Sequence, residues 1–251
     1  MYKFLKLHSC GNDFLIFFKK VNDFLISKFI NKKSGITCDQ ILIIKKIILD
    51  KNIIKIEIIN NNLSRANNCG NGIRSLSWFF LKKKKTNSII KFPVKNNFIL
   101  SYKNKKKNII SFFKIPNFFK KIILRIEFYF LKSGFVELNN LHFITIIKNI
   151  KTYYLFFFYN KINFFFNNIV NIEFIQIVKN NEFYIRIFEK GVGETYSCGT
   201  GIISSCYYIN NINKKINLFN VYSLGGFSKI SFFDKFIILT NKINFCCFGY
   251  L

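Results

Sequence analysis

The sequence predicts an α+β fold made of two related halves, and two observations carry that expectation. The first is a repeated motif. Cys69-Gly70-Asn71-Gly72-Ile73-Arg74-Ser75 and Cys198-Gly199-Thr200-Gly201-Ile202-Ile203-Ser204 share C-G-x-G-I-x-S and lie 129 positions apart. The second is the prevalence of period-two alternation, which marks half-buried strands, over spacing that marks helices. Alternating runs occur at 53–59, 89–94, 98–102, 109–113, 144–147, 174–178, 183–188 and 229–239.

Taken in chain order, the run Lys55-Ile56-Glu57-Ile58-Ile59-Asn60 is a strand whose polar end, Asn60, precedes the first cysteine by nine residues. Beyond the glycine turn, Ile73, Leu76, Phe80 and Leu81 fall at helical spacing. Strands at 89–94, 98–102 and 109–113 follow. A boundary is expected near Lys114 to Asn117, where Pro116 interrupts strand pairing. In the second half, Tyr184-Ile185-Arg186-Ile187-Phe188-Glu189 repeats the strand, with Glu189 again nine residues before its cysteine. Ile202, Ile203, Cys206 and Tyr207 then repeat the helix. The expected domains are 1–114, carrying Cys69, and 115–239, carrying Cys198.

This unit puts both cysteines at helix N-termini. Unpaired backbone N–H groups and the positive end of the helix dipole stabilise an anion there, so a thiolate is favoured. An unperturbed thiol is only about 3% ionised at neutral pH, so a modest downward shift multiplies the supply of base. The same N–H groups can grip a substrate carboxylate. Two thiols brought to opposite faces of one carbon suit inversion of a C–H centre: one removes the proton, the other returns one. That chemistry is a racemase or epimerase. The alternative for each residue is an ordinary buried cysteine beside close-packed glycines; repetition of the preceding strand as well as the cysteine weighs against it.

Four ordered motifs then resemble the diaminopimelate epimerase family. They are Leu7-His8-Ser9-Cys10-Gly11-Asn12-Asp13-Phe14, Gly35-Ile36-Thr37-Cys38-Asp39-Gln40, Asn68-Cys69-Gly70-Asn71-Gly72-Ile73-Arg74, and Glu189-Lys190-Gly191-Val192-Gly193-Glu194-Thr195 continuing to Gly201. The resemblance implies two pseudo-symmetric lobes, each a mixed β-sheet curled around a central helix that begins at its cysteine. It also implies that residues 240–251 return to complete the first lobe. The implied reaction converts LL-2,6-diaminopimelate to the meso isomer without cofactor or metal, for lysine and peptidoglycan precursors. Cys69 and Cys198 become the base and acid pair, with His142 and Glu189 beside them. Substrate binding falls to Asn12, Gln40, Asn60, Gly70, Asn71, Asn140, Asn171, Glu189, Lys190, Gly199 and Thr200. Asp13 and Asp39 flank motif positions and suit turn capping as well as substrate contact. His8 is expected to be structural.

The chain departs from the family pattern in four places. Lys190 stands where arginine is usual, which keeps the charge and loses the planar fork. The D-G-S turn is Asn62-Leu63-Ser64, and N-P-H is Asn140-Leu141-His142. Cys246-Cys247-Phe248 occupies the region where the family has a tyrosine contributing to its dimer, so a homodimer is implied by the resemblance alone.

Composition supplies a rival from another class. Lys and Arg number 39 against 12 Asp and Glu, a formal charge of +27, which suits a decayed, non-catalytic binder of polyanions. The basic runs Lys82 to Lys85 and Lys103 to Lys107 lack aromatic interleaving and any helix-turn-helix, zinc-finger or RNA-recognition signature. Lys, Asn, Ile and Phe, all with A/T-rich codons, dominate throughout, including Phe156-Phe157-Phe158 and Phe164-Phe165-Phe166. The charge therefore reads as mutational drift, with no specific nucleic-acid partner expected. A proline-type racemase is the nearest enzyme alternative. No apolar run reaches the eighteen or so residues of a membrane span, and His8, Asn12 and Asp13 interrupt any signal-peptide core. Seven cysteines without a C-x-x-C pair argue against a disulfide framework or structural zinc. A cytoplasmic enzyme acting on a small amino acid is the expectation.

Overall fold

The computed structural model describes all residues except 32, 67–68, 83–87, 95–96, 106–107, 139, 153, 214–215 and 251. Asn68 of the third motif and parts of the two basic runs lie outside the described residues. The chain divides into two compact units, Met1–Phe112 with Thr240–Leu251, and Phe113–Leu239.

In the first unit, β1 (Lys3–Ser9) and β2 (Asn12–Phe17) form an antiparallel hairpin. Cys10 (φ 51°) and Gly11 (φ 78°) make its turn in the left-handed region. α1 (Asp23–Phe29) starts at Asn22, whose Oδ1 accepts from the Leu25 N–H at 2.8 Å. β3 (Gln40–Ile48) runs parallel to β2 and antiparallel to β4 (Ile53–Asn60), which also pairs with the short β5 (Arg65–Ala66). After α2 (Gly70–Leu81), β6 (Ile89–Val94) runs parallel to β4, and β7 (Asn97–Lys103) and β8 (Ile109–Lys114) continue as an antiparallel meander. The last strand of the chain, β18 (Ile243–Tyr250), pairs with β1. α2 packs on β1, β2, β18 and β7, which lie toward opposite ends of this strand order. A sheet touches one helix from both ends only by curling around it.

The second unit repeats the scheme without a return of the chain. β9 (Phe118–Ile126), β10 (Tyr129–Leu138) and β11 (Asn140–Ile146) are antiparallel neighbours. β12 (Asn171–Lys179) is parallel to β11 and antiparallel to β13 (Glu182–Glu189), which pairs with β14 (Gly193–Thr195). α4 (Gly199–Asn213) packs on β10, β11 and β12. β15 (Leu218–Ser223) is parallel to β13 and antiparallel to β16 (Gly226–Phe233), and β17 (Phe236–Asn241) follows. β3 and β12 each carry a register shift, at Ile44/Lys46 and at Ile177/Lys179, the second lying two residues further along in the matched register.

The expected fold class is the one observed. Alternation nevertheless missed β3, whose first half is buried on both faces and so reads as a continuous apolar run. The single run expected at 229–239 is two strands, because Asp234 turns with φ 51°, a conformation that a short polar side chain tolerates. In α4, Tyr208 and Ile209 are buried and Tyr207 is not fully so. The phenylalanine runs are partly used: in α3 (Tyr154–Phe165), Leu155, Phe158 and Ile162 recur on one face and enter the core of β11 and β12, leaving Phe156, Phe164 and Phe165 exposed. No helix among the described residues is long and apolar enough to cross a membrane.

Candidate active site

The first unit holds one set of candidate residues. Cys69 is the N-cap of α2, with extended backbone (φ −146°, ψ 106°), and its Sγ accepts from the Gly72 N–H at 3.3 Å. Sulfur thus takes the place of the usual capping oxygen. Gln40 and Asn60 are cross-strand partners at the ends of β3 and β4, and Gln40 Nε2 donates to Asn60 Oδ1 at 2.8 Å. Asn60 Nδ2 donates in turn to Ser64 Oγ at 2.8 Å. Asn12 Oδ1 and Gln40 Oε1 are buried acceptors without a hydrogen-bond partner among the described residues, the state expected of groups that await a donor such as an ammonium. Gly70 and Asn71 form the buried first turn of α2. Asp13 and Asp39 brace one another: each backbone N–H donates to the other's carboxylate, at 2.9 and 2.8 Å. Lys6 pairs with Asp13 at 2.8 Å. The two aspartates are a strand brace.

The second unit holds the other set. Cys198 precedes Gly199 and Thr200 in the buried first turn of α4, with its Sγ 3.3 Å from Thr200 Oγ1. Glu189, at the end of β13, accepts from Thr195 Oγ1 at 2.8 Å and hydrogen-bonds the Cys198 side chain. Asn171 Oδ1 accepts from the Lys190 N–H at 2.9 Å, and Asn171 Nδ2 donates to the Leu141 carbonyl at 3.4 Å, so Asn171 shapes the loop that presents the exposed Lys190 side chain. Gly191 (φ 73°) and Gly193 (φ 91°) make the reversal between β13 and β14. Asn140 sits at the exposed start of β11, and His142, two residues on, is fully buried.

His142 Nδ1 lies 2.7 Å from Glu173 Oε1 on the neighbouring strand, with neither side chain exposed to solvent. Motif matching did not select Glu173. Its one signal in sequence is an acidic residue inside Asn171-Ile172-Glu173-Phe174-Ile175, opposite Ile144 and Ile187, with no cross-strand cation.

The electrostatics correct one expectation. The helix N-terminus was expected to favour thiolate at both cysteines, yet the Cys198 thiol is pushed well above its ordinary range. Burial is the main cause and the nearby Glu189 carboxylate adds to it; Thr200 Oγ1 and the Gly201 N–H oppose the shift and do not overcome it. Burial also raises Glu189, against the hydrogen bonds from Thr195 and Cys198. Burial and the Glu189 carboxylate both work against ionisation of Cys198. In the first unit, Asn60 stands where Glu189 stands in the second.

Among the described residues, no three His, Cys, Asp or Glu side chains are grouped so as to hold a metal ion. A cavity of about 410 Å³ in the first unit is lined by Ile47, Ile54, Phe80, Leu81 and Ile90 among others. Among the described residues it has no titratable lining group, and it lies at the opposite end of α2 from Cys69.

The family model for diaminopimelate epimerase matches residues 135–242. A diaminopimelate epimerase from Wigglesworthia glossinidia brevipalpis is 33% identical over 242 residues, covering 86% of this chain and 87% of its own. Another, from Buchnera aphidicola, is 29% identical over 257 residues, covering 91% and 87%. The solved structure of a probable proline racemase from Agrobacterium radiobacter shares the fold, with a TM-score of 0.78 at 9% identity over 100% of this chain and 93% of that one. With 33% identity across nearly the whole length and a cysteine at the head of both equivalent helices, the chain belongs to the diaminopimelate epimerase family and is an isomerase.

Proposed function

We propose that the protein epimerises LL-2,6-diaminopimelate to the meso isomer by a two-thiol acid/base mechanism without cofactor, supplying lysine and peptidoglycan precursors in a reducing cytoplasm. The observation that carries this reading is the equivalent placement of Cys69 and Cys198, each heading a helix whose first-turn N–H groups lie beside the sulfur. Inversion requires the two thiols to address opposite faces of one α-carbon. In the LL direction Cys69 is the base and Cys198 the acid, and the roles exchange in reverse. Burial and the neighbouring Glu189 carboxylate, which raise the Cys198 thiol, support that assignment.

Without a pyridoxal ring, the developing carbanion is stabilised by preorganised hydrogen bonds in a dry site. N–H groups of Gly70, Asn71, Gly199 and Thr200 grip the α-carboxylate. His142 and Glu189 organise charge beside Cys198 and hold the α-ammonium. The unpartnered oxygens of Asn12 and Gln40, with Asn60, Asn140 and Asn171, complete the polar lining. Lys190 takes the distal carboxylate as a point charge. The homodimer implied by the resemblance is part of the same reading.

The test is proton exchange at the α-carbon of LL-diaminopimelate in D₂O under reducing conditions. Deuterium incorporation with formation of the meso isomer is expected in the wild type. A loss of about 10³-fold or more is expected in both Cys69→Ala and Cys198→Ala, since each removes a group that transfers the proton. A folded, reduced wild type that inverts proline instead would establish the racemase alternative. Inactivity on both substrates would overturn the two-thiol reading.

A further inference from the structure

Glu173 is the buried charge that the family resemblance leaves without a role. Its Oε1 meets His142 Nδ1 at 2.7 Å, both side chains are closed to solvent, and its Oε2 has no hydrogen-bond partner among the described residues. On the same ring, His142 Nε2 is buried and equally unpartnered. The carboxylate also depends on a glycine: a Cβ at Gly201, in the first turn of α4 behind Cys198, would lie 2.6 Å from Glu173 Oε1.

The first unit shows that the fold does not require this charge. By register, Phe14 opposite Gln40 matches His142 opposite Asn171, and Leu42 opposite Ile58 matches Glu173 opposite Ile187. Leu42 and Phe14 fill the same space beside Gly72 that Glu173 fills beside Gly201. Hydrocarbon therefore packs well at this position, and the carboxylate answers to something else.

We propose that Glu173 is a positioning residue for His142. An ionised carboxylate only accepts hydrogen bonds, so the ring nitrogen facing it must carry the proton. Glu173 thereby fixes Nδ1–H and leaves Nε2 as the nitrogen that meets substrate. The consequence for turnover rests on the epimerase reading above; the consequence for the ring does not.

The test uses ¹⁵N-histidine labelling of the full chain, which has only His8 and His142, with His142→Gln to assign the signals. The wild type should show a protonated Nδ1 at His142. Glu173→Gln, nearly isosteric, and Glu173→Leu, the residue of the first unit, should lose that preference and shift toward the Nε2–H form. Turnover of LL-diaminopimelate should fall about tenfold or more with KM nearly unchanged, the scale of losing a partner that orients a histidine. Glu173→Gln, whose fold is checked by circular dichroism, keeps the test open where Glu173→Leu does not fold. An unchanged ring pattern, or turnover within about twofold of wild type in a folded variant, overturns the proposal. A changed ring pattern in a protein that never turns over diaminopimelate supports the positioning role and sinks the substrate reading instead.

Discussion

The two units bury their charges at complementary places. In the first, the fifth residue of α2 is Arg74, fully buried; its counterpart in α4 is Ile203, equally buried. In the second, the strand positions beneath the glycine turn carry His142 and Glu173, where the first has Phe14 and Leu42. Each unit has hydrocarbon where the other has charge. Arg74 donates to the carbonyls of Ile109 and Asn241 at 2.9 Å each, and to Asn241 Oδ1 at 3.0 Å. Asn241 belongs to the segment that returns from the far end of the chain, so the arginine anchors a noncontiguous part of its own unit. The second unit is continuous, needs no such anchor, and keeps its buried charges beside the cysteine. One position ties a returning segment to its unit; the other sets polar groups beside a cysteine.

The largest expected effect on stability comes from removing the anchor. Arg74→Met removes the hydrogen bonds to the Ile109 and Asn241 carbonyls and should cost about 2–4 kcal/mol. Trp78, the single tryptophan, lies on α2, so its fluorescence follows the first unit alone. The unfolding midpoint seen by Trp78 should fall by several degrees. A midpoint unchanged in Arg74→Met would show that the returning segment holds without the arginine.

Making the second unit resemble the first comes next. The double variant His142→Phe with Glu173→Leu replaces a buried carboxyl–imidazole hydrogen bond by packed hydrocarbon and should be neutral or stabilising by about 1–4 kcal/mol, because removing both polar groups also removes their desolvation cost. Epimerase activity should be lost. Destabilisation by more than about 2 kcal/mol would mean that the two sites are not sterically equivalent.

The glycines sharpen the same contrast. Gly72→Ala meets the flexible ends of Phe14 and Leu42 at 3.2–3.3 Å, and the gain in helix propensity of roughly 0.5–1 kcal/mol should offset that crowding. Gly201→Ala drives a methyl against the Glu173 carboxylate and should cost about 1–3 kcal/mol. In the double-variant background the Gly201→Ala penalty should shrink, a coupling that a double-mutant cycle on thermal midpoints measures.

A smaller effect separates Glu189 from Asn60. Burial raises the Glu189 carboxyl above its unfolded value, so the folded state binds that proton more tightly than the unfolded chain does. The unfolded form therefore gains relative stability as pH rises from the ordinary carboxylate range through the folded value. Glu189→Gln should remove this slope and raise the melting temperature by a few degrees at neutral pH while abolishing turnover. A pH-stability profile of Glu189→Gln superimposable on wild type would place the carboxyl in water.

Much of this was legible in the residues. The motif C-G-x-G-I-x-S occurs twice at the heads of α2 and α4, and the offset of 129 residues carries over to cross-strand pairs beyond it. Glu57 with Arg65 and Arg186 with Glu194 are the same ion pair with its polarity reversed. Other features were not legible for stated reasons. β3 showed no alternation because it is buried on two faces. Glu173 looked like Glu57, an acidic residue in an apolar strand; only packing shows that Glu57 reaches the cations Lys45 and Arg65 at the surface while Glu173 is sealed against a histidine.

By itself, then, the sequence determined the repeat, the strand-rich class, the family and the two cysteines, because these depend on local spacing and on residue types that tolerate few substitutes. The tertiary structure alone decided which charges are buried and what that burial does. A thiol at a helix N-terminus is locally favoured as an anion, but at Cys198 the loss of solvent and a neighbouring carboxylate outweigh the helix end. Desolvation is set by everything packed around a group, and the partners that hold Arg74, namely Ile109 and Asn241, come from distant parts of the chain.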